Sequence, residues 1–242
     1  QPSNIILGIS GKYNQKHFSE LVRKNWSVLR QKATDGWKKS KDSQNSLRAK
    51  IEYKKTEQAH LSLGFKGFAY NDSRNTAQLI LSVILGGGMS SRLFTEVREK
   101  RGLAYYISAS GSNFQDTGIF NVRASVPIDK IQGALKVIIS ELVKVKREEV
   151  REDELKKAKE YVKGRTVLAL EDNQARLDWF LERAAFYKKI ETPKQMFRKI
   201  DAVSLLDVQK AAKDLFKAKK LTLAVIGPYR NKKLFNKLIN ID

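Results

Sequence analysis

The chain contains no cysteine among its 242 residues, which excludes a disulfide framework, a thiolate zinc site and a cysteine nucleophile. It also contains only two histidines, His17 and His60. A catalytic zinc ion held by three histidines of this chain is therefore excluded by the number of ligands, and we expect no metal site within it. A histidine-based hydrolytic centre cannot be complete here either.

Long apolar runs are also missing. No segment approaches the roughly 18 to 20 uninterrupted apolar residues that a membrane helix needs, and the N-terminus lacks the charged and apolar blocks of a signal peptide. We therefore expect no membrane partner, and the absence of cysteine favours a cytoplasmic location. The chain begins with Gln1 and not with methionine, so the sequence leaves the compartment undetermined.

Positive charge is abundant: the chain has 47 Lys and Arg residues but only 26 Asp and Glu residues, which gives a net charge of +21. Such a field attracts nucleic acids, acidic membranes or acidic peptides. No basic motif interleaved with aromatic residues is present, and lysines such as Lys156 and Lys159 have the spacing of a solvated helix face. We expect no nucleic-acid partner, and filter binding near physiological salt would test this.

Two segments of the chain resemble each other. IILGISGKY at residues 5–13 and LAVIGPY at residues 223–229 each read as a strand, a Gly-x-Tyr turn and an amphipathic helix. Chance likeness is the alternative, but the simplest interpretation is that residues 1–30 close a preceding homologous domain. The polar stretch at 31–50 then reads as a linker, and residues 51–242 as one further domain. A detached unit of this kind, with an exposed apolar strand, would favour a homo-oligomer.

Residues 51–242 alternate between strand and helix patterns. Period-two alternation predicts strands at 58–65 and 118–126, with further strands at 104–110 and 221–226. Helices are predicted at 73–85, 90–100, 127–146, 151–170, 173–187, 193–200 and 204–216. The uneven spacing of the strands predicts an α+β domain with a mixed, mainly antiparallel sheet and helices packed on one face.

A glycine-rich loop, Gly86, Gly87 and Gly88, joins two of the predicted helices. It resembles a phosphate-binding loop, but it follows a helix and lacks the Lys-Ser/Thr pair of a nucleotide site. A break that lets the backbone approach a neighbouring chain is the better interpretation.

The stretch LGGGMSSRLFTEVREKRGLAY at 85–105 closely resembles the second-domain signature of the inverted zinc peptidases, the pitrilysin and mitochondrial processing peptidase family. TEQAH at 56–60 and LTLAVIGP at 221–228 are similar to the same family at the expected places. The resemblance covers essentially the whole chain and implies the C-terminal, non-catalytic half of such an enzyme.

The resemblance implies that a catalytic half with a His-x-x-Glu-His motif supplies the zinc, and that this chain closes a chamber around a peptide substrate. That motif is absent here. The family's substrate-contacting Arg and Tyr, seven positions apart, match Arg98 and Tyr105. The alternatives are an Arg98 paired with a neighbouring Glu and a packed Tyr105, or a scaffold protein of the same family that acts on no substrate.

Two further residues carry predictions. His60 lies on the polar face of its predicted strand, where it either is a structural histidine or faces a substrate cavity. Tyr106 alternates with Tyr105 and is expected to point into the core.

Overall fold

The computed structural model describes residues 4–27, 36–231, 235, 237–239 and 241. Within this part the chain forms one series of helices and strands. In order these are α1 (Gln15–Trp26), β1 (Arg48–Tyr53), β2 (Gln58–Gly67), α2 (Asn75–Gly86), a π-helix (Phe94–Glu99), β3 (Tyr106–Asn113), β4 (Gly118–Pro127), α3 (Ile131–Arg147), α4 (Glu152–Ala169), α5 (Asn173–Phe186), α6 (Pro193–Ala202), α7 (Leu205–Leu215) and β5 (Thr222–Gly227).

The strands form a single five-stranded sheet in the order β1-β5-β2-β4-β3. β1 pairs with β5 in parallel, whereas β2 with β5, β2 with β4 and β3 with β4 are antiparallel. The sheet is therefore mixed and mainly antiparallel, as the sequence predicts. β5 enters between β1 and β2, two strands that are consecutive in sequence.

One face of the sheet is covered by helices. α2, α3 and α7 pack against β3, β4 and β2 respectively, and the strand residues that meet them are apolar and buried. α3 presents Ile131, Leu135, Ile138 and Leu142 to this core, all at most 2% exposed, in agreement with the apolar stripe of the sequence. The α+β architecture with helices on one face is confirmed.

The opposite face, which we call the open face, carries the alternate residues of every strand. Three cross-strand rows run along it: Glu52, Ile226, His60, Ser125 and Tyr106; Lys50, Ala224, Ser62, Arg123 and Ser108; and Arg48, Thr222, Gly64, Asn121 and Ser110. Most of these side chains are polar and accessible.

Helix boundaries follow capping chemistry. Thr192 and Gln195 form a capping box around Pro193 at the start of α6, and Ser204 forms another with Asp207 at the start of α7. The helix predicted from residue 127 begins later, because Pro127 ends β4 and precedes a short 3-10 turn, after which α3 begins. None of the described helices is both long and apolar enough to cross a membrane.

Three segments differ from expectation. The helix predicted over 90–100 is largely a π-helix. β1 begins at Arg48, inside the stretch that reads as a linker. Residues 5–10 form no strand, although α1 follows them as predicted, because a strand needs a hydrogen-bonded neighbour and the described sheet offers them none. The helix predicted after residue 229 lies largely outside the described residues.

Candidate functional site

The candidate site lies where the π-helix leads into β3. Tyr105 immediately precedes β3, and its backbone N–H donates to the carbonyl of Ser125 at 2.9 Å. This bond anchors the backbone of Tyr105 to β4, while its side chain is 57% exposed. Tyr105 is thus held by its main chain and free at its phenol.

The prediction that Tyr106 is a core residue is wrong. Tyr106 is 54% exposed, and its hydroxyl donates to Ser108 Oγ at 2.7 Å along the open face. Within β3 it is Ile107 and Ala109 that point into the core. Tyr105 lies in a bend before the strand, so strand alternation does not apply between the two tyrosines and both are accessible.

Arg98 lies in the π-helix, whose wider turns are marked by the hydrogen bond from Lys100 N to Thr95 O at 2.9 Å. Its guanidinium lies over the Phe94 ring at 4.9 Å. Within the described part of the chain Arg98 makes no ion pair. Arg98 is exposed, so its charge is available to a ligand.

A carboxylate two positions before Arg98, that of Glu96, is engaged elsewhere. Glu96 accepts from Lys100 Nζ at 2.6 Å and from Arg101 Nη1 at 2.5 Å. These bonds, the one from Lys100 first, lower the pKa of Glu96 to about 2. Two other cations therefore neutralise this glutamate, which leaves Arg98 unpaired.

A fixed turn joins Arg98 to Tyr105. Gly102 adopts a positive φ of 56°, which favours glycine, and its N–H donates to Arg98 O at 3.0 Å. Lys130 Nζ donates to the Gly102 carbonyl at 3.1 Å, which ties the turn to the segment before α3. The geometry fixes the chain path between the two predicted substrate-binding residues.

His60 lies on the open face, in the same cross-strand row as Ser125 and Tyr106. Its side chain is exposed. The sheet thus brings His60 to the same face as the start of β3. Because this face is open, His60 is not a buried structural histidine. The alternating pattern of 118–126 predicts that Ser125 faces away from the core. That Ser125 lies between His60 and Tyr106 follows only from the pairing register of the strands.

The glycine-rich loop serves packing within this chain. A Cβ on Gly86 would overlap the backbone nitrogen of Ala109 in β3, and one on Gly87 would lie 2.7 Å from the Cα of Val83. The Tyr161 hydroxyl of α4 donates to the Gly87 carbonyl. The close approach expected toward a neighbouring chain is therefore made to β3 of the same chain.

A half-buried ion pair that the sequence did not signal supports this segment. Arg92 Nε and Nη2 each donate to a carboxylate oxygen of Glu154 at 2.8 Å, across from α4. The bonds that Arg92 donates to Glu154 raise the pKa of Arg92. Burial alone would raise the pKa of Glu154, but the bonds from Arg92 and from the Arg151 backbone hold it below its ordinary value. The pair anchors the entrance to the π-helix.

Metal-binding groups are scattered. No three His, Asp or Glu side chains come together in a way that could hold a metal ion in the part of the chain that the structure describes. His17 is distant in sequence from His60. It lies in α1, where its backbone N–H donates to Asn14 Oδ1. The chemistry of this site is that of hydrogen-bond donors and a fixed positive charge.

Residues 1–162 match the family profile described as the peptidase M16 inactive domain. An uncharacterised zinc protease of Streptomyces coelicolor is 38% identical over 185 residues, which cover 76% of this chain and 40% of that protein. The uncharacterised zinc protease YmxG of Bacillus subtilis is 30% identical over 230 residues, which cover 95% of this chain and 55% of that protein. The chain spans about half the length of these curated relatives.

Solved structures share the fold. A protease from Helicobacter pylori superposes with a TM-score of 0.83 at 24% identity, over 90% of this chain and 54% of that one. A peptidase M16 inactive domain from Pseudomonas fluorescens superposes with a TM-score of 0.78 at 20% identity, over 90% of this chain and 52% of that one.

Proposed function

Because the chain belongs to the peptidase M16 inactive-domain family, we propose that it is the substrate-binding, chamber-closing half of a zinc-dependent metalloendopeptidase acting on unstructured peptides. The zinc ion and its general base come from a catalytic His-x-x-Glu-His half, on the same precursor or as a separate subunit. This chain positions the peptide substrate and stabilises the negative charge that develops on it during cleavage.

The observation that carries the proposal is the availability of two donors at the start of β3. Arg98 offers a permanently charged fork to a peptide carbonyl, since it has no ionic partner among the described residues. Tyr105 offers a phenolic O–H to the oxyanion that develops on the attacked carbonyl. Their backbones are fixed by the turn at Gly102 and by the bond to Ser125, which suits a preorganised site.

The open face supports the chamber-closing role. It is broad and polar, and it is not covered by the described helices, so a second half can enclose substrate against it. Its serine and asparagine side chains, with Ser62 Oγ donating to Asn121 Oδ1 at 2.8 Å, can exchange hydrogen bonds with an extended peptide backbone. We place His60 on the wall of this chamber as a further substrate contact.

We also propose that residues 1–30 are the end of a preceding homologous domain. The likeness of 5–13 to 223–229 supports this, because the second copy contains β5, an internal strand of the sheet. Ile5, Ile6 and Leu7 are 43–49% exposed, as expected for an apolar segment whose partner belongs to another unit. The polar stretch before β1 then acts as the connection between domains.

Reconstitution tests the function. We expect the isolated chain to hold no stoichiometric zinc and to cleave no peptide, and we expect peptidase activity when it is combined with a catalytic half. Elemental analysis after dialysis and cleavage of an unstructured fluorogenic peptide measure these outcomes. One tightly held zinc ion per isolated chain would contradict the proposal.

The contribution of Arg98 is measured in the same assay. Arg98→Ala should lower turnover strongly at unchanged zinc content, whereas Arg101→Ala, which removes a cation already bound to Glu96, should change it little. If the catalytic half is equally active without this chain, the chain is a scaffold and the substrate-binding role is wrong.

A further inference from the structure

A large cavity lies away from the residues discussed so far. It has a volume of about 1080 Å³, and its walls come from the start of α2, the end of β3, and α5, α6 and α7. Ligand cavities in proteins are on the order of 300–1,000 Å³, so this one is large enough for a ligand. Neither Arg98, Tyr105 nor His60 lines it.

Arg183 of α5 contributes a buried guanidinium to this cavity. The residue is only 6% exposed. Its Nη1 donates to the carbonyl of Trp179 at 3.1 Å, and the guanidinium lies 3.2 Å from the centre of the Trp179 ring. Its Nε is the single buried side-chain nitrogen or oxygen without a hydrogen-bond partner in the described part of the chain. A buried donor without a partner is costly, and the guanidinium that carries it belongs to a residue of the cavity lining.

The positive charge of Arg183 is also poorly compensated. The nearest carboxylate oxygen, that of Glu182, lies 3.9 Å from Nη1 on a side chain that is 48% exposed. Glu191 also lines the cavity, but it is paired with Lys199 at 2.7 Å. Burial lowers the pKa of Arg183, which reflects the same lack of a close anion.

The rim of the cavity is held in place. Tyr70 stacks on Phe186 with ring centroids 5.0 Å apart and planes within 3° of parallel. Asn71 Nδ2 donates to Phe186 O at 3.1 Å, and Lys188 N donates to Asn71 Oδ1 at 3.0 Å. The loop after β2 is thus bound to the end of α5, so the cavity is preformed and a ligand need not order it.

We propose that this cavity binds a carboxylate group of an extended peptide, with Arg183 as the anchoring cation. A carboxylate is the group that a guanidinium pairs with most strongly, and Arg183 has no anion closer than the 3.9 Å contact with Glu182 among the described residues. The peptide is indicated by the opposite wall, because Ser110, Gly111 and Asn113 belong to β3, an edge of the sheet. An edge strand offers unpaired backbone groups to an extended chain. This site goes beyond the proposed function and does not depend on the zinc half.

The test uses the isolated 242-residue chain and defined ligands. Binding is measured by calorimetry for N-acetyl-tetra-alanine with a free C-terminal carboxylate and for its C-terminal amide. A second pair, N-acetyl-Ala-Ala-Glu-Ala-amide and its Gln counterpart, places the carboxylate on a side chain. Sodium acetate probes the free acid. We expect at least one carboxylate peptide to bind at least about tenfold more tightly than its neutral counterpart, given the strength of charge-assisted pairs.

Arg183→Lys keeps the charge but loses Nε and the fork, so we expect about tenfold weaker binding of the carboxylate peptide. Arg198→Lys, on the exposed face of α6 and outside the cavity lining, should bind like the unmodified chain. Equal binding of acid and amide peptides would overturn the proposal, and acetate binding as tightly as the peptides would overturn its peptide part. If Arg183→Lys does not fold, the acid and amide comparison on the unmodified chain still decides.

Discussion

Two adjacent tyrosines at the start of β3 are both exposed but stand in different settings. Tyr105 precedes the strand and has a free phenol by the turn from Arg98, whereas the Tyr106 hydroxyl is bonded to Ser108 on the open face. They differ by one position in the chain and have nearly the same accessibility. This makes them a matched pair for testing which hydroxyl acts on a substrate.

In a reconstituted enzyme, we expect Tyr105→Phe to lower kcat by on the order of 100- to 1000-fold, the usual cost of one lost oxyanion donor. KM and zinc content should change little, because the ring remains and no metal ligand is lost. Tyr106→Phe is the control and should stay within a few fold. Steady-state kinetics on one peptide measure all three proteins. Equal, small effects in both variants would assign Tyr105 a packing role.

Glu96 makes a testable contribution to acid stability. Its folded pKa of about 2 lies below the ordinary value of 4.5, so its stabilisation is present above pH 4.5 and is lost as the pH falls toward 2. Because Lys100 and Arg101 are largely exposed, we expect about 1 kcal/mol or less. Thermal unfolding between pH 5 and pH 2 should show a smaller loss of Tm for Glu96→Gln than for the unmodified chain. A parallel fall in both would show that Glu96 contributes nothing.

Residue-scale features were only partly predictable. Arg98, Tyr105 and His60 could be chosen from sequence, and their exposure agrees with the proposed roles, which remain to be tested. Tyr106 was misplaced because alternation was extended one residue before the strand begins. The Arg183 cavity carries no sequence signal, because an arginine inside an amphipathic helix is ordinarily solvated. Trp179 and Tyr187 flank Arg183 at a spacing of four residues, which the sequence does show, but only the fold determines that this face of α5 is buried.

At the scale of elements, the glycine-rich loop sets how closely α2 approaches β3. Gly86 is the last residue of α2, and its backbone touches the β3 backbone at Ala109. Only a residue without a Cβ fits such a contact. The loop is therefore a packing device that keeps the π-helix and the start of β3 in register with the sheet.

We expect Gly86→Ala to lower the free energy of unfolding by about 1–3 kcal/mol, because backbone atoms must shift to admit the methyl group. Gly164→Ala is the control: Gly164 lies inside α4 with nothing within 4 Å of an added Cβ. It should raise stability by about 0.5–1 kcal/mol through helix propensity. Denaturant unfolding with a shared slope compares the variants, and a neutral Gly86→Ala would refute the packing role.

Long amphipathic elements were the most predictable ones. α3 to α7 were predicted to within a few residues of their observed ends, because a 3.6-residue stripe over three or more turns is unambiguous. β1 was not, since only Ala49 and Ile51 of its six residues face inward and its charged open-face residues resemble a linker. The π-helix was read as an α-helix, because the two share the same helical pattern over six residues.

At the scale of the whole molecule, an apolar segment is left exposed near the N-terminus. Ile5, Ile6, Leu7 and Ile9 are each 36–49% exposed. We expect the isolated chain to self-associate at high concentration through this segment. Light scattering over a concentration series should show growing mass, and Ile6→Ser with Leu7→Ser should reduce it. Ile190→Ser, at an isolated exposed isoleucine, should not. A strict monomer throughout would contradict the expectation.

The insertion of β5 between β1 and β2 has a consequence for how the chain folds during synthesis. β1 and β2 leave the ribosome before the other strands, yet β1 meets its one neighbouring strand, and β2 the second of its two, only when residues 222–227 have been made. β2 can meanwhile pair with β4, so the three-stranded antiparallel sheet β2-β4-β3 can form first, while β1 still lacks its strand neighbour. Closure of the sheet is therefore the last step in time, and a ribosome that stalls before β5 leaves an open strand edge at the centre of the future sheet.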